Sequence, residues 1–147
     1  QIKSVFSGEV TNWKDLGGNG ALITVVIRED GSGTRGAFEE IVLGKDVKFT
    51  DKAIIQNSTG ALRTTVAGTP DAIGFVSLGA LNDEVKALKV DGVDISKENV
   101  LSNSYKVARP FVYMTKEEPT GLVKSYIDFI LSTEGQEIVG RDFIPVK

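Results

Sequence analysis

Three short apolar runs, rich in β-branched residues, constrain this chain most: Ile23–Ile27, Ala53–Gln56 and Ala72–Val76. Their apolar character is continuous rather than alternating, which is the pattern of strands covered on both faces, as in a parallel sheet. Val85–Val90 and Val107–Thr115 are further strand candidates. Helical pattern lies between the strands. Phe38, Ile41 and Val42 mark one face of a helix that Gly44 stops. Ser58 or Thr59 caps a second, with Leu62 and Val66 inward and Gly68 and Pro70 at its end. Gly121–Leu131 is the best helical segment, with Leu122, Tyr126 and Ile130 in one row and Val123, Ile127 and Leu131 in the next. Thr133 and Gln136 have capping-box spacing for a last helix ending near Gly140. Strand and helix alternate, so the expected class is α/β: a three-layer sandwich around a mixed, largely parallel sheet.

The first strand delivers the segment Arg28-Glu29-Asp30-Gly31-Ser32-Gly33-Thr34 to the start of a helix. Backbone N–H groups there have no intrahelical partner and carry the positive end of the helix dipole. Gly31 and Gly33 clear side chains from an approaching anion, and Ser32 and Thr34 add hydroxyl donors. Arg28 offers a planar fork suited to an oxyanion, and Asp30 is placed by sequence to steady it. Each residue alone has a plainer reading as loop, cap or surface ion pair. In this order, between strand and helix, they make the parts of a tetrahedral-anion site.

Composition decides what else this loop can be. The formal charge is −3, so a bound anion must be held by local donors, and attraction for nucleic acid is not the design. The chain has no histidine and no cysteine, which excludes Ser-His and Cys-His nucleophile pairs, HExxH zinc sites and disulfides. Gly31, Gly33 and Gly36 fit the dinucleotide pattern GxGxxG. Against it, Arg28-Glu29-Asp30 separates the glycines from the strand, and the strand ending near Asn57 carries no acid for a ribose. No P-loop sequence occurs. Glu39 and Glu40 read as a solvated helix face, Asp91 to Asp94 as a turn rather than a calcium loop, and Trp13 as a packing anchor. No metal or cofactor is called for. No run approaches the roughly 18 apolar residues of a membrane span, and the opening residues are not a signal peptide.

The segments FSGEVTNWKDLGG (Phe6–Gly18), VVIREDGSGTRGAFEE (Val25–Glu40), DAIGFVSLGAL (Asp71–Leu81), RPFVYMTK (Arg109–Lys116) and FILSTEGQEIV (Phe129–Val139) resemble, in this order, the phosphate-binding proteins of bacterial phosphate ABC transporters. The resemblance runs over essentially the whole chain. It implies a type II periplasmic-binding-protein fold and a non-enzymatic, extracytoplasmic role, lipid-anchored in the full-length protein. In that family phosphate is captured between two lobes and handed to a membrane permease, and the resemblance implies the same role here. It also implies that Arg28, Ser32, Gly33 and Thr34 are phosphate ligands and that Asp30 supports the arginine.

Members of that family begin with a lobe that supplies further ligands, including a proton-accepting aspartate, and nothing before Gln1 matches it. Residues 1–147 are therefore expected to form a single domain, a fragment lacking the N-terminal lobe. A one-sided site should bind phosphate weakly, at about a millimolar, and discriminate poorly against sulfate. Exchange of C-terminal elements in a homodimer is one way to cover apolar surface left by a missing lobe. Two other readings stay open on residues alone: a nucleotide-binding enzyme domain using the GSGTRG loop, and a non-transport surface interaction module.

Overall fold

A computed structural model describes residues 1–146, so Lys147, the last residue of the expected domain, lies outside the described residues. The chain forms two compact units, Gln1–Val107 and Ala108–Lys147.

In the first unit the elements run α1 (Ile2–Ser7), β1 (Thr24–Arg28), α2 (Gly33–Phe38), β2 (Ile54–Gln56), α3 (Thr59–Gly68), β3 (Ala72–Ile73) and α4 (Lys97–Leu101). Helix α2 continues as a π-helical turn, Glu39–Leu43, which Gly44 ends at φ 79°, as its sequence position predicts. The three strands form a parallel sheet in the order β2-β1-β3. β1 is central because it is the most apolar: Val25, Val26 and Ile27 are all buried. β2 pairs with its C-terminal half and β3 with its N-terminal half, in the registers Arg28↔Gln56 and Val25↔Ile73.

Alternation along β1 builds the layers. Val25 and Ile27 enter a cluster with Val5, Phe6, Phe38, Leu43 and Ile73. Val26, one residue out of phase, belongs to the other face, where α3 packs on all three strands and buries Leu62. Gly74 permits that approach, since a Cβ there would lie 2.7 Å from Leu62 Cδ2 and 3.2 Å from the Val26 carbonyl oxygen. Four phenylalanines from separate segments join on the α2 side. The Phe38 ring lies 4.6 Å from Phe6 and 4.3 Å from Phe75, with Phe49 stacked beyond at 5.9 Å. Burying each such side chain contributes on the order of 1.5–3 kcal/mol.

Several expectations need correction. No antiparallel strand joins the sheet among the described residues; antiparallel pairing is confined to the isolated bridges Asn12↔Leu22 and Val90↔Val93. Neither Val85–Val90 nor Val107–Thr115 is a strand, because a strand exists only in a ladder and neither run has ladder partners among the described residues. β2 is an edge strand, and Ile54 and Ile55 are exposed rather than covered.

The second unit contains α5 (Gly121–Ile130) and α6 (Thr133–Val139). Ser132, not Thr133, caps α6, accepting from the Gly135 N–H at 3.1 Å. Gln136 is buried instead of capping, with Nε2 donating to the Ile130 carbonyl and Oε1 accepting from the Val146 N–H. The apolar rows of α5 exist but are not core: Leu122, Val123 and Tyr126 are exposed. The T-shaped ring pairs Phe111–Phe143 and Tyr113–Tyr126 form within this unit.

Candidate functional site

The C-terminal end of the sheet collects the chemistry. Register brings Arg28 beside Gln56, and the Glu29 N–H donates to the Gln56 carbonyl at 3.1 Å. The loops leaving β1 and β2 therefore open at the same end, each into a helix N-terminus. In open α/β sheets this edge is where ligands bind.

Residues 29–32 carry β1 into α2. Gly31 sits at φ 85°, a left-handed conformation that suits glycine and turns the chain. Ser32 is the N-cap, its Oγ accepting from the Arg35 N–H at 3.3 Å while its own proton stays free to donate. The N–H groups of Gly33 and Thr34 find no hydrogen-bond partner among the described residues. A Cβ added at Gly33 would meet nothing within 4 Å, so the backbone is open to a ligand. Of the predicted ligands, Ser32, Gly33 and Thr34 thus sit together in the first turn of one helix, and Arg28 stands at the end of the strand that leads to it.

Arg28 is held differently from the sequence expectation. Its side chain is 13% exposed, and its partner is Glu29 rather than Asp30. Nε donates to Glu29 Oε2 at 2.8 Å and Nη2 to Oε1 at 2.9 Å, while Nη1 donates to Thr59 Oγ1 at 2.6 Å. The hydrogen bonding to Glu29 raises the Arg28 pKa. It also lowers that of Glu29 to about 2, helped by a backbone bond of Glu29 itself. Both groups are charged across the neutral range. Asp30 pairs with Arg35 instead, Oδ1 lying 2.9 Å from Nη2. The physical reason is reach. The two oxygens of Glu29 span the side edge of the neighbouring guanidinium, and Asp30 lies past the strand end on the α2 side.

Arg35 is the residue that sequence reading missed. It donates from Nη1 to the Arg28 carbonyl at 3.0 Å and from Nε to Glu39 at 3.0 Å, and it lies over the Phe49 ring at 5.3 Å. One side chain ties strand end, loop, helix and core. Glu39, read as solvated, is its i,i+4 partner. Thr59, read as a cap, is released from that task because Ser58 caps α3 through the Ala61 N–H at 3.0 Å. The only signal for Arg35 in the sequence was its position four residues before Glu39. Trp13 acts as an anchor, Nε1 donating to the Asp71 carbonyl at 3.0 Å. No group of side chains suited to a metal ion occurs among the described residues.

The arrangement presents N–H and O–H donors while its cations are offset locally: Arg28 and Arg35 face the three carboxylates of Glu29, Asp30 and Glu39. Such a loop selects by directed hydrogen bonds, not by net charge.

Residues 1–134 match the family model described as a PBP superfamily domain. The chain belongs to the PBP superfamily. Among curated relatives it is 45% identical over 134 residues to the phosphate-binding protein PstS 2 of Streptococcus agalactiae, covering 84% of this chain and 46% of that one. It is 36% identical over 149 residues to PstS of Bacillus subtilis, covering 99% and 49%. A solved structure from Clostridium perfringens, assigned as a phosphate ABC transporter substrate-binding protein with bound phosphate, superposes with a TM-score of 0.89. It is 52% identical, and the match covers 100% of this chain and 61% of that one. An ABC-type phosphate transport receptor from Vibrio cholerae follows at TM-score 0.83 and 30% identity, covering 99% and 62%. This PBP-superfamily chain spans about half the length of the curated relatives it matches. The resemblance read from the REDGSGT segment and its flanks is the one these comparisons show.

Proposed function

We propose that this chain binds inorganic phosphate at the Arg28–Thr34 loop, as part of the extracytoplasmic substrate-binding component of a phosphate ABC transporter that delivers phosphate to a membrane permease. One observation carries the reading: the unpartnered N–H groups of Gly33 and Thr34 open at a helix start whose Cβ positions are clear, beside the fork of Arg28. Relatives whose names state phosphate binding, and a similar structure containing phosphate, support it.

Arg28 supplies a charge-assisted fork, Ser32 and Thr34 supply hydroxyls, and Gly33 and Thr34 supply backbone donors. Asp30 acts one step removed, through Arg35. The role is capture and release without chemistry. No helix among the described residues is long and apolar enough to cross a membrane. The loop is one side of the phosphate site, and a facing set of donors completes it in the assembled protein. Replacing Arg28 by Ala and titrating phosphate calorimetrically tests the assignment. The expected loss is about 1.5–3 kcal/mol, the scale of a hydrogen bond to a charged group. Unchanged affinity would remove Arg28 from the site.

A further inference from the structure

Arg28 can present an oxyanion with a bidentate fork only if its guanidinium is fixed, and a long side chain at a strand end is not fixed by the backbone. Three of its five N–H bonds are taken within the described residues: the Nε and Nη2 edge by Glu29, and one on Nη1 by Thr59. What remains is one N–H on each Nη nitrogen. The remaining Nη2 N–H lies on the end of the guanidinium, away from the Glu29 edge, and Nη1 keeps a second N–H; both are donors for the oxygens of a tetrahedral anion.

We propose that Glu29 and Thr59 are positioning residues for phosphate binding, clamping Arg28 along its side edge and at Nη1 so that its remaining N–H bonds are presented to the ligand. The proposal rests on the phosphate-loop reading above and adds to it the residues that set the fork. Three features favour this over an incidental ion pair. The clamp has two arms from different elements, brought together by the Arg28↔Gln56 register. Ser58 takes the capping duty of α3, leaving the Thr59 oxygen available to accept. Arg28 is mostly covered, unlike the freely solvated pairs of the surface, of which Lys89–Asp94 is one. Glu29 also offsets the charge of Arg28, so the loop gains little for a general anion and keeps its directed donors for one that fits.

The test uses the chain labelled with nitrogen-15, titrated with inorganic phosphate as wild type, Glu29→Ala, Glu29→Gln, Thr59→Val and Arg28→Ala. Thermal melting confirms that each variant folds. Glu29→Ala and Thr59→Val should weaken phosphate binding about 3–10-fold, the loss of one or two aligning bonds. Glu29→Gln, which keeps one acceptor oxygen, should fall between Glu29→Ala and wild type. The Arg28 Nε–H signal should be sharp in wild type and broadened or exchanged away in Glu29→Ala. Wild-type or tighter phosphate binding by folded Glu29→Ala would overturn the clamp while leaving the loop assignment standing. Retained binding by Arg28→Ala would instead overturn Arg28's place in the loop assignment itself.

Discussion

Arg35 Nη1 donates to the backbone carbonyl of Arg28 across 3.0 Å, so the residue that braces the loop grips the residue that would hold the ligand by its main chain. A carbonyl at the end of β1 gains a partner, and the turn through Gly31 is locked from both sides. Replacing Arg35 by Ala removes this bond together with the Glu39 and Asp30 pairs. The Asp30 pair is solvent-exposed and contributes little. The expected loss of stability is about 1–2 kcal/mol, mostly from the carbonyl bond and the lost stacking on Phe49. Chemical denaturation measures it, and hydrogen exchange should quicken at Gly36, whose N–H bonds to the Ser32 carbonyl.

The Glu29 clamp carries a pH signature. Its folded pKa is lowered from the usual 4.5 to about 2. A carboxyl with a depressed folded pKa contributes stability that is fully present above its unfolded value and lost as pH falls through the folded one. The contribution should therefore fade between about pH 4.5 and pH 2. Carbon-detected titration of the Glu29 carboxyl should show its midpoint near the lower end of that window. A midpoint near 4.5 would mean that the clamp is not formed in solution.

Phe38 stands at the centre of the aromatic cluster, with the Phe6 and Phe75 rings 4.6 and 4.3 Å away and α2 built around it. Truncating it to Ala should cost about 3–5 kcal/mol, the range for a large buried ring. Because Phe38 ends the helix that starts at Gly33, the loss should also loosen the site, visible as faster amide exchange in the first turn of α2.

Gly135 makes a separate prediction for the second unit. A Cβ there would overlap the Phe129 carbonyl and lie 2.7 Å from the Ile130 carbonyl, so α6 packs on the end of α5 only because the position is bare. Gly135→Ala should destabilise the α5–α6 pair by about 1–3 kcal/mol. Amide exchange should rise in α5 and α6 while the amides of β1 stay as protected as in wild type.

Legibility in the sequence followed locality. The strand Thr24–Arg28, the Gly44 stop and the Gly121–Ile130 helix were readable because each is set by neighbouring residues. So was the loop itself, where glycine, serine and threonine at fixed offsets from a strand already define a helix start. What failed depended on partners distant in sequence. Val107–Thr115 has strand composition but no ladder, and the apolar rows of α5 have helical period but no cover among the described residues. In the sequence Glu29 stands only as part of the spacer between the strand and the glycines. Its role emerges only when the Arg28↔Gln56 register brings Thr59 to the other arm of the guanidinium.

The central claim is that the helix start after β1 is a phosphate site, and backbone amide shifts during phosphate titration test it most directly. The account predicts that Gly33 and Thr34 amides move most, with a midpoint at about a millimolar, with sulfate nearly as effective and Arg28→Ala strongly weakened. Gly33 and Thr34 amides that stay fixed through tens of millimolar phosphate, roughly ten times the expected midpoint, would contradict it.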